Sequence, residues 1–405
     1  MRTVISTQCA GVVGATLLSN GFMLAVLADF GYSDSAILTV LALPQILMLA
    51  GNLPAAYFSD QLGKKRLGQI GIWLRMFAFA ILAIIAGTGD AMAPLLCVGI
   101  IILGCGNCLF VASWFGLLQP IIPASERGRF FAKLRMSWQS VALVFSLILS
   151  GLLAAYPGRG TFRIILGFTV FALVLHLWLY RRIPEVELPA TGSRTPLRQA
   201  LRNILAIRGY LIFAAYGFLI TLVTAATPIL LNLIEKETLG FSDAMLVMMG
   251  NITFGGAILG FLVGGRLVDR LGAWRVFVLC QFSFALVLLA IIGRQSANSA
   301  LTMGILHAGF GFVAAAFSIA LTDRTMALAG DGQKSLSTSM LNATRCGGVA
   351  LASLIAAAIL KHKLLPSSWQ LGGQSFTAHD SLIILAGITT LLGIVGLPLL
   401  REHSV

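Results

Sequence analysis

The chain reads as an all-α polytopic membrane protein with twelve transmembrane helices in two six-helix halves. Three observations predict this. Hydrophobic residues make up 58% of the chain and charged residues 11%, with a mean hydropathy of +0.92; soluble domains carry about twice that charged share. Apolar runs of membrane-crossing length succeed one another along almost the whole sequence. A long segment also occurs twice. Gly31-Tyr32-Ser33-Asp34 through Asp60-Gln61-Leu62-Gly63 returns, ungapped, as Gly240-Phe241-Ser242-Asp243 through Asp269-Arg270-Leu271-Gly272, 209 residues later, with Gly51 falling on Gly260. A repeat on this scale, built on a membrane-length run, marks two halves descended from one unit.

The spans are expected at about 5–29, 35–57, 67–87, 93–118, 135–156 and 162–181 in the first half. In the second they fall at about 209–233, 243–265, 274–293, 298–320, 337–360 and 382–400. Each is long enough to cross ~30 Å of hydrocarbon at ~1.5 Å per residue, and helices are required because unpaired backbone groups in lipid cost several kcal/mol each. Spans 2 and 8 both open on Ser-Asp and close on the Asp-x-Leu-Gly turn of the repeat. After span 6, Pro184, Pro189 and Gly192 break the chain. Thr195 then offers an N-cap with Pro196 at the first helical position, so a short basic amphipathic helix is expected on the inner leaflet. The organisation is therefore 1–190, a cytoplasmic linker 191–208, and 209–405. Strands of the outer-membrane barrel type are absent, and no cleavable signal peptide is expected. The six cysteines lie in apolar runs. Cys105-Gly-Asn-Cys108 has redox spacing but sits mid-helix, so the cysteines read as small buried hydrophobes.

The net charge of +13 is explained by topology. With a cytoplasmic N-terminus, twenty Lys and Arg fall inside and six outside, while Arg75 and Arg345 lie within spans. Both termini are thus expected in the cytoplasm, in a plasma or inner membrane. The positive inner face has anionic lipid as its natural partner; nucleic-acid binding is not required.

The turn Ala56-Tyr57-Phe58-Ser59-Asp60-Gln61-Leu62-Gly63-Lys64-Lys65 resembles the G-x-x-x-D-[RK]-x-G-[RK]-[RK] loop between helices 2 and 3 of the major facilitator superfamily. Gly265-Arg266-Leu267-Val268-Asp269-Arg270-Leu271-Gly272 resembles its second-half copy. With twelve spans, a 6+6 split and a long middle loop, the resemblance covers the whole chain. It implies a secondary transporter working by alternating access, with Asp60, Gly63, Lys64, Gly265, Asp269, Arg270 and Gly272 in gating loops. Arg127 and Arg129 would form the charged partner region. Ala56 and Gln61 depart from the pattern. The basic residue of helix 4 found in many proton-coupled members is Ile100 here, and the Gly-Pro pair of antiporter helix 5 is missing. Asn342-Ala343-Thr344-Arg345-Cys346-Gly347-Gly348, by contrast, resembles an N-x-x-R-x-x-G run of many exporters.

Charges inside spans are costly unless they face protein or water. Arg345, roughly 12 Å into span 11, would offer a fork of donors to an anionic group; the bland alternative is a bond to helix carbonyls or to an acid. Arg75 suits snorkelling or packing against a neighbour. No acid is expected at mid-membrane, so the candidate proton carriers are Asp29 and Asp323 at span ends and His307 in span 10. Polar and aromatic residues at cavity-type positions complete the substrate-binding candidates: Asn342, Asn20, Gln45, Asn107, Trp114, Trp138, Gln139, Tyr216, Thr221, Thr224 and Asn251. They either bind a solute or bridge helices. Gly256, Gly260 and Gly264 make one smooth face on span 8, suited to close approach and sliding between the halves.

No catalytic set, phosphate loop or H-E-x-x-H is present, so no enzyme activity, cofactor or metal is expected. The expected partners are a small polar or anionic organic solute, the bilayer and protons, with the chain a monomer. The alternatives are multidrug efflux and, in another class, a non-transporting membrane receptor.

Overall fold

The computed structural model describes residues 2–88, 92–118, 121, 127–186, 202, 206–294, 299–328, 334–371 and 373–394. Within these, the side chains at 57, 58, 60, 61, 115, 116, 127–129, 131, 132, 208, 325–328 and 334–339 are outside the description. The first span is two helices, α1 (Arg2–Ser19) and α2 (Phe22–Asp29), bent by 49°. Asn20 and Gly21 make the break: Gly21 is left-handed at φ 81°, and the Asn20 side chain accepts a bond from Phe22 N–H at 3.2 Å. A polar side chain competing for a backbone donor, beside a glycine free to take positive φ, ends a helix even in an apolar run. The unbroken helix expected over 5–29 is corrected to this pair.

Next come α3 (Asp34–Leu62), α4 (Lys64–Ile85), α5 (Pro94–Leu118), α6 (Arg127–Ala155) and α7 (Arg159–Arg181). The seventh span is in three pieces: α8 (Arg208–Thr224), α9 (Thr227–Leu233) and a π-helical turn, Ile234–Thr238. Then follow α10 (Asp243–Leu271), α11 (Ala273–Leu289), α12 (Ser299–Leu328), α13 (Lys334–Lys361) and α14 (Ala378–Gly393). Between α13 and α14 lies a hairpin absent from the sequence reading. Its strands β1 (Ser368–Leu371) and β2 (Gln374–Thr377) are antiparallel, with Trp369 opposite Phe376. Among the described residues ten helices are long and apolar enough to cross a membrane, and the bent pair α1–α2 makes an eleventh. The described part of α14 is a shorter apolar helix; the rest of the twelfth expected span lies outside the described residues. So does most of the linker, with its expected amphipathic helix.

The chain forms two compact units: 1–33, 40–194 and 242–248 in one, and 34–39, 195–241 and 249–405 in the other. In the first, α4 and α5 touch backbone to backbone, a Cβ on Gly71 standing only 2.7 Å from Gly106 O. An aromatic core of Phe110, Trp114 and Tyr180 packs beside them. In the second unit α10 lies as closely on α12. A Cβ on Gly256 or Gly260 would stand 2.2 Å from the carbonyl oxygens of Ala308 and Phe312, and one on Gly264 would stand 2.8 Å from Ala316. The smooth face expected on span 8 is there, but its partner is α12 of the same half. The expectation of sliding between halves is corrected accordingly. Outward along α4 and α7, Phe77, Ile84 and Phe171 are exposed, an arrangement that suits hydrocarbon and not water.

The repeat has a structural signature. Gly63 and Gly272, closing the two Asp-x-Leu-Gly turns, both sit at positive φ, 91° and 81°. A side chain at either position would be strained, so the same device ends both copies.

Candidate functional site

The seventh span sets up the most unusual chemistry of the chain. Past Leu233 the helix widens instead of ending: Leu239 N–H bonds to Ile234 O at 3.0 Å, and Phe241 N–H to Glu235 O at 2.8 Å. Such π turns are rare and frequent at functional sites. The widened turn carries Glu235 into the second unit, where it is fully buried. There Glu235 Oε1 lies 3.0 Å from His307 Nε2 on α12. The other ring nitrogen, Nδ1, is 2.8 Å from Thr253 Oγ1 on α10, and the Thr253 hydroxyl is also 3.2 Å from Met249 O. His307 is 3% exposed and sits eight residues into α12, roughly 12 Å along the axis. Glu235 Oε2 and, one turn earlier, Asn232 Oδ1 are buried without a partner among the described residues.

Of the proton-carrier candidates only His307 is inside the protein with an acid beside it. Asp29 is a surface partner of Arg159, 2.5 Å from its Nε and with Nη2 bonded to the Asp29 carbonyl at 2.8 Å. Asp323 is exposed at the end of α12. Glu235 was missed because its neighbours Lys236 and Glu237 read as a polar loop; the span expected to end at 233 runs on to Thr238 and takes Glu235 with it. The available signal was Asn232, three residues earlier on the same helical face, within a run that stays apolar to Ile234.

Arg345 is half-buried on α13 and makes no hydrogen bond or ion pair with any described residue, and Asn342 lies half-buried one turn before it. The other polar candidates divide. Asn20 bonds to Ser146 Oγ at 2.7 Å and bridges the α1–α2 break to α6. Tyr216 donates to Gly393 O at 2.7 Å and accepts from Gln281 at 2.7 Å. Thr221 and Thr224 return their hydroxyls to Gly217 O and Ile220 O. Trp114 is stacked on Phe110 in the core of the first unit, with Trp138 packed against that core. Asn251 is buried, as is Gln139, whose Oε1 has no partner among the described residues. Gln45 and Asn107 are half-buried.

Arg75 does not snorkel. It is 3% exposed, and Nη2 donates to Gly11 O of α1 at 2.8 Å, with His176 and Tyr180 nearby. Arg294, one of the six basic residues sorted to the outer side, is 1% exposed. It forks onto Asp380 at 2.5 and 2.7 Å.

In the gating loops, the side chains of Asp60, Arg127 and Arg129 lie outside the described residues. Lys64 opens α4 after Gly63, and Lys65 N–H donates to Glu185 at 3.0 Å, a carboxylate at a helix N-terminus as the macrodipole favours. Gly265 has open space where a Cβ would stand, and Asp269 and Arg270 are exposed before Gly272. At the other end of the first unit, the Tyr32 hydroxyl bonds to Ala93 O at 2.7 Å. Burial, together with the bond to Cys97, pushes its pKa above the ordinary tyrosine range.

A family model of the Major Facilitator Superfamily matches residues 6–353. "Multidrug resistance protein MdtH" of Cronobacter sakazakii is 27% identical over 218 residues, 52% of this chain and 50% of that protein; MdtH of Salmonella typhi is 26% identical over 213 residues, 50% of this chain and 49% of that one. The chain thus spans about half the length of the curated relatives it matches. Among solved structures, the nucleoside transporter NupG (D323A mutant) superposes with a TM-score of 0.74 at 12% identity, covering 98% of each chain. A D-xylose-proton symporter gives 0.73 at 16% identity, covering 98% of this chain and 96% of that one. These superpositions establish the fold, and with the family match over most of its length the chain belongs to the Major Facilitator Superfamily.

Proposed function

We propose that the chain is a secondary transporter that carries a small organic solute, polar or anionic, across a cell membrane by alternating access. Residues 1–190 and 209–405 are the two rocking halves and 191–208 the link between them. Membership of the superfamily is the observation that carries this reading. The charge sorting supports cytoplasmic termini, and Arg345, a half-buried guanidinium with no described protein partner, supports an anionic group on the solute. Protons are the proposed driving ion, with His307 favoured over the surface-paired Asp29 and the exposed Asp323.

Purified protein in proteoliposomes is expected to move solute under a pH gradient, and absence of flux for every member of a metabolite panel would sink the reading. Arg345→Ala is expected to lower flux at least tenfold, the loss of about 1.4 kcal/mol or more of binding, while the protein still inserts and purifies normally. Unchanged kinetics would discard the anchoring role. The two relatives named above, both multidrug resistance proteins by name, favour efflux of toxic compounds as a second reading. Drug susceptibility of cells lacking or overproducing the protein separates the two.

A further inference from the structure

We propose that Glu235, His307 and Thr253 form a proton-loading site in which loss of one proton turns the Thr253 hydroxyl from Met249 to His307. The proposal rests on the transport reading and names its coupling site.

The argument is a count of hydrogens. Thr253 Oγ1 has a single proton and two neighbours, the Met249 carbonyl at 3.2 Å and His307 Nδ1 at 2.8 Å. A carbonyl can only accept. When the hydroxyl donates to Met249, Nδ1 must carry a proton and donate to Thr253. One further proton then lies between Nε2 and Glu235 Oε1. It belongs to an imidazolium facing a carboxylate, or to a carboxylic acid facing a neutral imidazole. The two forms hold equal numbers of protons, and each satisfies all three hydrogen bonds; this is the loaded state.

Removing that proton places the Nε2 lone pair against a carboxylate in a buried site. The bond to Glu235 returns only when the remaining ring proton moves to Nε2. Nδ1 then becomes an acceptor, and the Thr253 hydroxyl swings from Met249 to fill it. The unloaded state therefore removes a side-chain bond from a carbonyl of α10 and reorients a side chain at the seam between α10 and α12. That seam is packed backbone to backbone at Gly256 and Gly260, where small shifts are transmitted and not absorbed. A buried carboxylate gains from the loaded form because it is otherwise an uncompensated charge.

Among the described residues no other charged side chain pairs with Glu235 or His307. His307 is the ionisable side chain that reaches Glu235, at 3.0 Å. On the same turn Lys236 is half-buried and Glu237 exposed. From α14, which packs on α9, His379 is held by Asp34 at 2.8 Å and Asp380 by Arg294. Neither α10 around Thr253 nor α12 around His307 carries another ionisable side chain within two turns.

Infrared difference titration of the purified full-length protein tests the site without a known solute, the proton itself being the probe. Acidification is expected to change one carboxyl band, to a protonated-carboxyl stretch or to a shifted carboxylate stretch, in step with a histidine ring band that reports a proton gained at Nδ1. Glu235→Gln should abolish the carboxyl band, and Glu237→Gln should keep it. Wild-type protein carrying ¹⁵N-labelled histidine reports the same step by magnetic resonance if Glu235→Gln does not fold. A carboxyl change retained in Glu235→Gln, or wild-type histidines none of which gains a proton at Nδ1 as the pH falls, overturns the proposal. In proteoliposomes, gradient-driven flux that is unchanged in Glu235→Gln removes the site and leaves transport standing. A pair that titrates in a protein carrying no solute does the reverse.

Discussion

Arg75 shows what a single charge does in a membrane protein. Its guanidinium is buried and bonded to a helix carbonyl of α1, and its Nε has no partner among the described residues. The Gly11 carbonyl belongs to a helix and does not depend on the arginine. A buried charge held by one hydrogen bond carries a desolvation cost that an apolar side chain of similar length does not, so Arg75→Met is expected to raise the melting temperature in detergent. Asp380 is the opposite case. Removing it strands Arg294 in the interior and undoes the capping box at Thr377. Asp380→Ala is expected to cost about 3–5 kcal/mol, read as a lowered melting temperature. Sequence alone singled out Arg75, Arg345 and His307, because few ionisable residues fall inside apolar runs. Their partners were not legible. Glu235 meets His307 across 72 residues and Arg294 meets Asp380 across 86. Such pairings depend on packing, which one-dimensional periodicity does not carry.

At the level of elements, composition and spacing located the helices well, since a run of apolar residues long enough to cross lipid has few alternatives. What it misread were irregularities placed by local bonds: the break at Asn20-Gly21, the π turn after Leu233, and the hairpin after α13. Each rests on local contacts that mean hydropathy averages away. The glycine stripe of α10 was read as a close-packing face but assigned the wrong partner. Because the site beside Gly260 is backbone, it cannot yield as a flexible side chain would. Gly260→Leu is therefore expected to destabilise by about 1–3 kcal/mol, measured as lost folded protein on heating. If the α10–α12 seam carries the proton response, flux should fall further than stability does.

For the whole molecule, the duplication was the most legible fact, and the positive φ at Gly63 and Gly272 shows it preserved down to a backbone angle. The compact units nevertheless do not follow the sequence halves. Asp34–Thr39, at the start of α3, belongs to the unit that holds the second half, and Ser242–Met248, at the start of α10, belongs to the unit that holds the first. These are the same seven or so residues of the repeat, traded in both directions. A chain severed in the linker would give two polypeptides, each lacking a piece of its own unit. Either fragment expressed alone is expected to be degraded, whereas co-expression should restore a stable complex that purifies through a tag on one of them. Stable, well-folded single fragments would contradict this. Duplication thus left two halves alike in plan, each lending a short piece of chain to the other's unit.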